Sequence, residues 1–274
     1  MALTEFQREI LRLLAPSRIE RESHIAGGAA LNTQLVAPRR SNDIGLFHDT
    51  IEAVKQTVAA DRMLMETSGY DLRLLREAPT FAEAIVTRND RSTLIQWVHD
   101  SAFRFFPLVT DEDLGLALHP FDLATNKVLA MAGRLEARDF IDLVTCCERV
   151  QPLGYLIWAA CGKDPGFGPP GLLQEIRRGG RYSQTEIDLL DFEGPAPDAA
   201  DLGRRWHRQL RQADAVCELL PADNVGTAVV GRDGKLYRGD AETLSSDLRD
   251  SLVTFHRGTI GGAWPCFPRS DPPT

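Results

Sequence analysis

The chain has 274 residues, 31 Lys plus Arg against 39 Asp plus Glu, a formal net charge of −8, and 43% hydrophobic and 26% charged residues. A chain of this size and composition buries about three quarters of its unfolded surface, so it needs neither disulfide nor metal to form a core. The acidic balance argues against a protein whose whole surface grips nucleic acid and leaves only local basic patches for that task.

The N-terminal stretch MALTEFQREILRLLAPSR is interrupted by charge every few residues and carries no apolar signal segment, which gives the expectation of a cytoplasmic protein. The longest apolar run, around Leu153 to Cys161, is about half of the roughly 20 residues a membrane span requires, so no membrane role is expected. Cys146, Cys147, Cys161, Cys217 and Cys266 form no CxxC pair and are expected to be reduced, mostly buried thiols.

Leu3, Phe6, Ile10 and Leu13 recur at helical spacing and predict an amphipathic helix that stops near Pro16. HIAGGAALNTQLV follows as a short strand, two glycines and a helix. SNDIGLFHD alternates with period 2, placing Asp43, Gly45 and Phe47 on one face and Ile44 and Leu46 on the other. A helix is predicted over 49–68, and strands over 71–76, 81–88 and 92–100, with a further short apolar run at 114–119. From Pro120 the period becomes 3.6: Leu123, Lys127, Leu129 and Met131 lie in one helix and Phe140, Leu143 and Val144 in the next. A Gly/Pro-rich connector at 163–170 precedes helices near 171–179, 184–192 and 199–219. GTAVVGRDGKLYRG predicts a late hairpin turning at Arg232-Asp-Gly234, and the tail after Pro265 reads as loose. The expected organisation is an α/β domain over 1–120 and a mainly helical domain with the late hairpin over 121–274.

Two features carry chemistry. A strand-Gly27-Gly28-helix junction lets backbone approach a phosphate closely and aims helix N-terminal amides at it, although a glycine pair alone is more often a plain tight turn. About 15 residues later, Arg40-Ser41-Asn42-Asp43-Ile44-Gly45 presents a carboxylate on a strand, where fixed oxygens suit Mg²⁺ completed by substrate phosphates.

The order glycine pair, helix, strand acid resembles the nucleotidyltransferase superfamily. With LATNKVLAMAGRLEARDFIDL at 123–143 it is similar to the AbiEii/AbiGii toxins of type IV toxin–antitoxin systems, in which a Lys-bearing helix precedes an Arg-Asp-x-x-Asp-Leu helix. The resemblance covers roughly residues 20–150. It implies an α+β (α/β) fold with a nucleotidyltransferase-type mixed β-sheet, flanking helices and a helical C-terminal region. It further implies transfer of a nucleoside monophosphate from an NTP, with Mg²⁺, to an RNA (tRNA among them) or protein hydroxyl, and restraint by an antitoxin protein. By the same resemblance Gly27, Gly28, Arg40 and Ser41 bind the nucleotide, and Lys127 offers a charge to the triphosphate. Asp43 and Asp100 hold metal, and Asp43, Asp100, Lys127, Asp139 and Asp142 form the catalytic set.

The chain departs from the family's Asp-x-Asp strand: Gly45 stands where the second acid is expected, with no apparent structural gain. Two readings follow, an active transferase whose site is completed by Asp100 or Asp49, and a degenerate enzyme acting as a nucleotide- or protein-binding module. Transfer of the γ-phosphate by a kinase on the same fold is a third. His48 is a metal ligand or a hydrogen-bonded loop residue. Trp97, Phe103, Phe105 and Phe106 read as core, and Arg204, Arg205, Arg208 and Arg211 as either a nucleic-acid face or a solvated one.

Overall fold

The computed structural model describes residues 3–20 and 23–265; Cys266 and the tail after Pro265 lie outside the described residues. In chain order the first half runs α1 (Glu5–Glu20), β1 (His24–Ala26), α2 (Gly27–Gln34), β2 (Asp43–His48), α3 (Ile51–Thr67), β3 (Asp71–Ala78), β4 (Phe81–Arg88), β5 (Arg91–His99), β6 (Phe103–Arg104), β7 (Val109–Asp111) and β8 (Gly115–Ala117). Helices then dominate: α4 (Pro120–Gly133), α5 (Ala137–Arg149), α6 (Leu153–Ala160), α7 (Pro169–Arg178), α8 (Gln184–Asp188) and α9 (Ala199–Leu219). The described chain closes with β9 (Thr227–Gly231), α10 (Ala241–Arg249), β10 (Val253–Arg257) and β11 (Thr259–Ile260). None of the described helices is long and apolar enough to cross a membrane. Two compact units are present, one of residues 3–20, 23–102, 108–123 and 182–199, the other of 103–107, 124–181 and 200–265.

The first unit is built on a seven-stranded mixed sheet in the order β3-β4-β5-β2-β1-β8-β7. β2 runs parallel to β5 and β1 parallel to β8, while the other neighbours are antiparallel. The period of 2 sorts the side chains: Ile44, Leu46, Ile95 and Trp97 are fully buried on one face, against which α1 and α3 pack. Trp97 Nε1 donates to the buried Asp61 carboxylate of α3 (2.9 Å), which fixes that helix to the sheet. Asp43, Phe47, Gln96 and Glu83, on the opposite face, are only half-buried.

α1 does not stop at Pro16, contrary to the expectation, but continues to Glu20. A proline ring removes one helical N–H donor. Side-chain bonds tie down the turns around it: Ser17 Oγ donates to the Leu14 carbonyl, and the buried Arg18 guanidinium to the carbonyls of Leu11 and Leu114. Burial pushes the Arg18 pKa down to about 10.

Residues from the late part of the chain also complete the first unit. Arg39 pairs with Phe192 in an isolated bridge, Arg40 N–H donates to the Asp191 carbonyl (2.9 Å) and Glu193 N–H to the Pro38 carbonyl (2.7 Å).

In the second unit Tyr155, Trp158, Val216, Leu220, Val229, Leu244 and Val253 form one buried cluster. Where the late hairpin is expected, Gly234, at φ +79°, makes the turn and the returning arm meets one edge of β9 through the antiparallel Val230–Leu236 bridge, while β10 pairs along the other edge, Thr227 opposite Arg257 through Gly231 opposite Val253. Side chains take further carbonyls here: Gln151 donates to Tyr237 of the returning arm and to Val229 of β9, and Tyr155 Oη to Gly239. β10 then supplies Val253 to the cluster, with Phe255 packed against it.

Candidate functional site

β1 and β2 are antiparallel with Ala26 opposite Gly45, so the chain leaves β1 beside the start of β2. It turns through Gly27, whose φ of +71° favours glycine, directly into α2. A Cβ on Gly28 would stand 2.5 Å from Arg39 Nη2 and 3.3 Å from Ser41 Oγ. A larger residue at 28 would have to displace the Arg39 guanidinium and would crowd the Ser41 hydroxyl. Ser41 is buried, and its hydroxyl donates to Asp43 Oδ1 (3.0 Å), which fixes the carboxylate at the mouth of β2. Gln7 Nε2 holds the Ser41 carbonyl from α1 (2.9 Å). Gly28, Ser41 and Asp43 thus lie side by side, with Gly27 at the turn before them.

Arg40 and Asp100 do not join them. Arg40 lies outward, 3.6 Å from Asp191, with both side chains more than a third exposed. Arg39, not Arg40, lies buried against Gly28, its guanidinium donating to the Arg40 carbonyl (2.9 Å). No local pattern separated the two arginines, because residues 40–42 lie outside any strand and the burial of Arg39 is set by its approach to Gly28. In the parallel β2–β5 pair, Asp43 lies opposite Leu94 and His48 opposite His99. Asp100 is six positions beyond Leu94, about 20 Å along the strand at roughly 3.3 Å per residue, so it shares no metal with Asp43. Its carboxylate accepts from the Ser101 N–H instead (2.8 Å). Asp49 follows β2 at that same far end.

Gly45 has a structural reason. A Cβ there would meet Phe47 Cε2 at 2.7 Å, so the Phe47 ring lies over the position where a second acid would project. His24, its cross-strand neighbour, stacks on it with ring centroids 6.3 Å apart. Among the described residues no group of three or more His, Cys, Asp or Glu could hold a metal ion. A single carboxylate does not fit a resident divalent cation. His48 is buried at the far end of β2, its Nδ1 3.4 Å from the Val98 carbonyl, and burial lowers its pKa to about 4, so it is neutral near pH 7.

Within the second unit, Lys127 of α4 reaches Asp139 (2.7 Å) and Asp142 (2.9 Å) of α5, and Arg134 reaches Asp139 (2.6 Å). Both carboxylates are fully buried. Burial works against the Lys127 charge, but Asp142 and Asp139 outweigh it and hold the ammonium above its ordinary range. Burial likewise opposes the Asp139 charge, and Arg134 and Lys127 outweigh it in turn. Two of the three ammonium donors are engaged.

This mixed sheet with flanking helices is an α+β nucleotidyltransferase-type fold. It is similar to MenT4, a nucleotidyltransferase toxin of Mycobacterium tuberculosis, at 17% identity and TM-score 0.56 over 80% of this chain and 83% of that one. JHP933 of Helicobacter pylori matches at 14% identity and TM-score 0.46 over 79% of this chain and 95% of that one. No family profile matches the sequence, and no curated protein shows significant similarity to it.

Proposed function

We propose that the protein is a nucleotidyltransferase of the AbiEii/AbiGii toxin type, moving a nucleoside monophosphate from an NTP to an RNA or protein hydroxyl, and held in check by an antitoxin protein in the cytoplasm. The observation that carries this reading is the Ser41-anchored Asp43 carboxylate beside the Gly27–Gly28 junction, on a fold similar to that of a nucleotidyltransferase toxin. Magnesium belongs to the substrate in this reading, entering with the triphosphate, whose own oxygens supply most of its ligands. Asp43 meets that complex, Ser41 orients Asp43, and the first amides of α2 face the phosphates. The Lys127–Asp139–Asp142 group holds α4 to α5. Residues 1–120 carry the nucleotide and 121–274 the helical remainder.

The Phe47 ring over Gly45 favours a second reading, a degenerate enzyme that binds nucleotide without transfer. One experiment separates them: the full chain with Mg²⁺, α- or γ-labelled NTPs and total tRNA or no acceptor, beside Asp43→Ala. Transfer of α-label that Asp43→Ala abolishes supports the first reading. Label only from the γ position identifies a kinase, and nucleotide binding without transfer identifies the degenerate module.

A further inference from the structure

The sheet face that bears Asp43 extends well beyond it. Reading the register across four strands, Asp43 lies in one row with Leu94, Ile85 and Arg73, and Gly45 in the next with Gln96, Glu83 and Arg76. A regular β3 would put positions 73 and 75 on this face. Instead the register shifts between Leu74 and Arg76, so Leu75 is the extra residue and Arg76 takes the place opposite Glu83. A bulge of this kind re-aims a side chain. Here it sets two arginines on the face of the candidate site.

Both arginines are exposed, and neither makes a hydrogen bond or ion pair among the described residues. Cross-strand neighbours are close enough to pair, so Glu83 is the expected partner of Arg76. Its carboxylate accepts from Gln96 Nε2 instead (2.8 Å). By contrast, Arg88 and Arg91, at the far end of the β4–β5 hairpin, are both taken by Glu9.

We propose that Arg73 and Arg76 on edge strand β3 form a binding strip for the phosphate backbone of a single-stranded polynucleotide, which crosses the sheet face toward Asp43. Guanidinium groups suit phosphate because their fork of donors matches its oxygens. Three strand spacings, about 14 Å, separate Arg73 from Asp43 along their row, a distance that suits neighbouring phosphates of a polymer rather than the reacting one. The proposal rests on the nucleotidyltransferase reading for the purpose of the strip: it makes the acceptor a nucleic acid rather than a protein.

The test is equilibrium binding of the full chain to a short fluorescent single-stranded RNA, and to DNA of the same sequence, across a salt series. Wild type is compared with R73Q/R76Q, R73K/R76K and, as a control on α9, R208Q/R211Q, with melting curves to verify folding. R73Q/R76Q is expected to weaken both polymers roughly tenfold and to reduce the log–log salt slope by about 1.4, two phosphate contacts at about 0.7 each. R73K/R76K retains the slope because it keeps the charge, and the binding of Mg–ATP is unchanged in every variant. An unchanged slope in R73Q/R76Q overturns the proposal, as does a loss confined to one polymer, or a parallel fall in Mg–ATP affinity that would assign the arginines to the triphosphate. The readout needs no turnover. A chain that binds RNA through Arg73 and Arg76 yet transfers no label refutes the enzymatic reading and leaves the strip standing.

Discussion

Asp139 is fully buried, with Lys127 and Arg134 both against its carboxylate. Asp43 sits half-buried at the mouth of β2, where the Ser41 hydroxyl donates to it. A buried carboxylate that lost its cations would be an uncompensated charge in a poor solvent, whereas a half-buried one keeps water as a partner. The first group is therefore bound up with stability, and the second is free to serve a ligand.

Four experiments strain that contrast. Lys127→Met removes the cation shared by Asp139 and Asp142 and is expected to cost about 3–5 kcal/mol in urea unfolding, with a large drop in melting temperature. A variant of native stability that had lost only label transfer would move Lys127 to the phosphate-binding side of the comparison. Asp43→Ala should behave in the opposite way, losing at least about 10²-fold in transfer rate while melting with the wild type. If it unfolds more readily by more than about 0.5 kcal/mol, the carboxylate has a structural role after all.

Gly45→Asp sharpens the point at the neighbouring position, because the new side chain must displace the Phe47 ring. A cost of about 1–3 kcal/mol is expected, partly relieved in Gly45→Asp/Phe47→Ala, and only the double variant should respond to Mg²⁺ in a binding titration. His48 marks the far end of the same strand. Its folded pKa of about 4 lies below the ordinary histidine value, so the unfolded chain takes up a proton first as pH falls. Stability is then full above about pH 6.5 and declines toward pH 4, by up to about 1.4 kcal/mol per pH unit from this residue. His48→Gln should flatten that part of the stability–pH curve, and an unaltered slope would mean that His48 titrates normally.

Much of this was legible in the sequence because the relevant interactions are local. The period-2 pattern around Asp43 gave β2, and α9 (Ala199–Leu219) runs where the 3.6 period placed it. Gly28 lies close to Ser41 because a glycine pair and a short loop leave little conformational choice. What escaped was set at long range. The fate of Asp100 depended on parallel pairing, which puts the two acids at opposite ends of a strand pair and leaves no trace in local pattern. The role of Gly45 depended on where one phenyl ring settles. The pairing of β9 with β10, on the edge opposite the returning arm, joins segments far apart in sequence, with Val229 and Val253 in one apolar cluster, and left no local trace. Pro16 is a strong local stop signal that tertiary bonds from Arg18 overrode.

The return of residues 182–199 to the first unit bears on how the protein is made. Once residue 123 has been synthesised, the sheet is in hand but its last segment is not. At roughly 5–20 residues per second, about 75 more residues take on the order of 4–15 s to arrive. During that interval the backbone of Pro38, Arg39 and Arg40 lacks its partners at Asp191 to Glu193. A nascent chain would therefore hold the loop that leads to Ser41 without these backbone partners until residues 191–193 had been made.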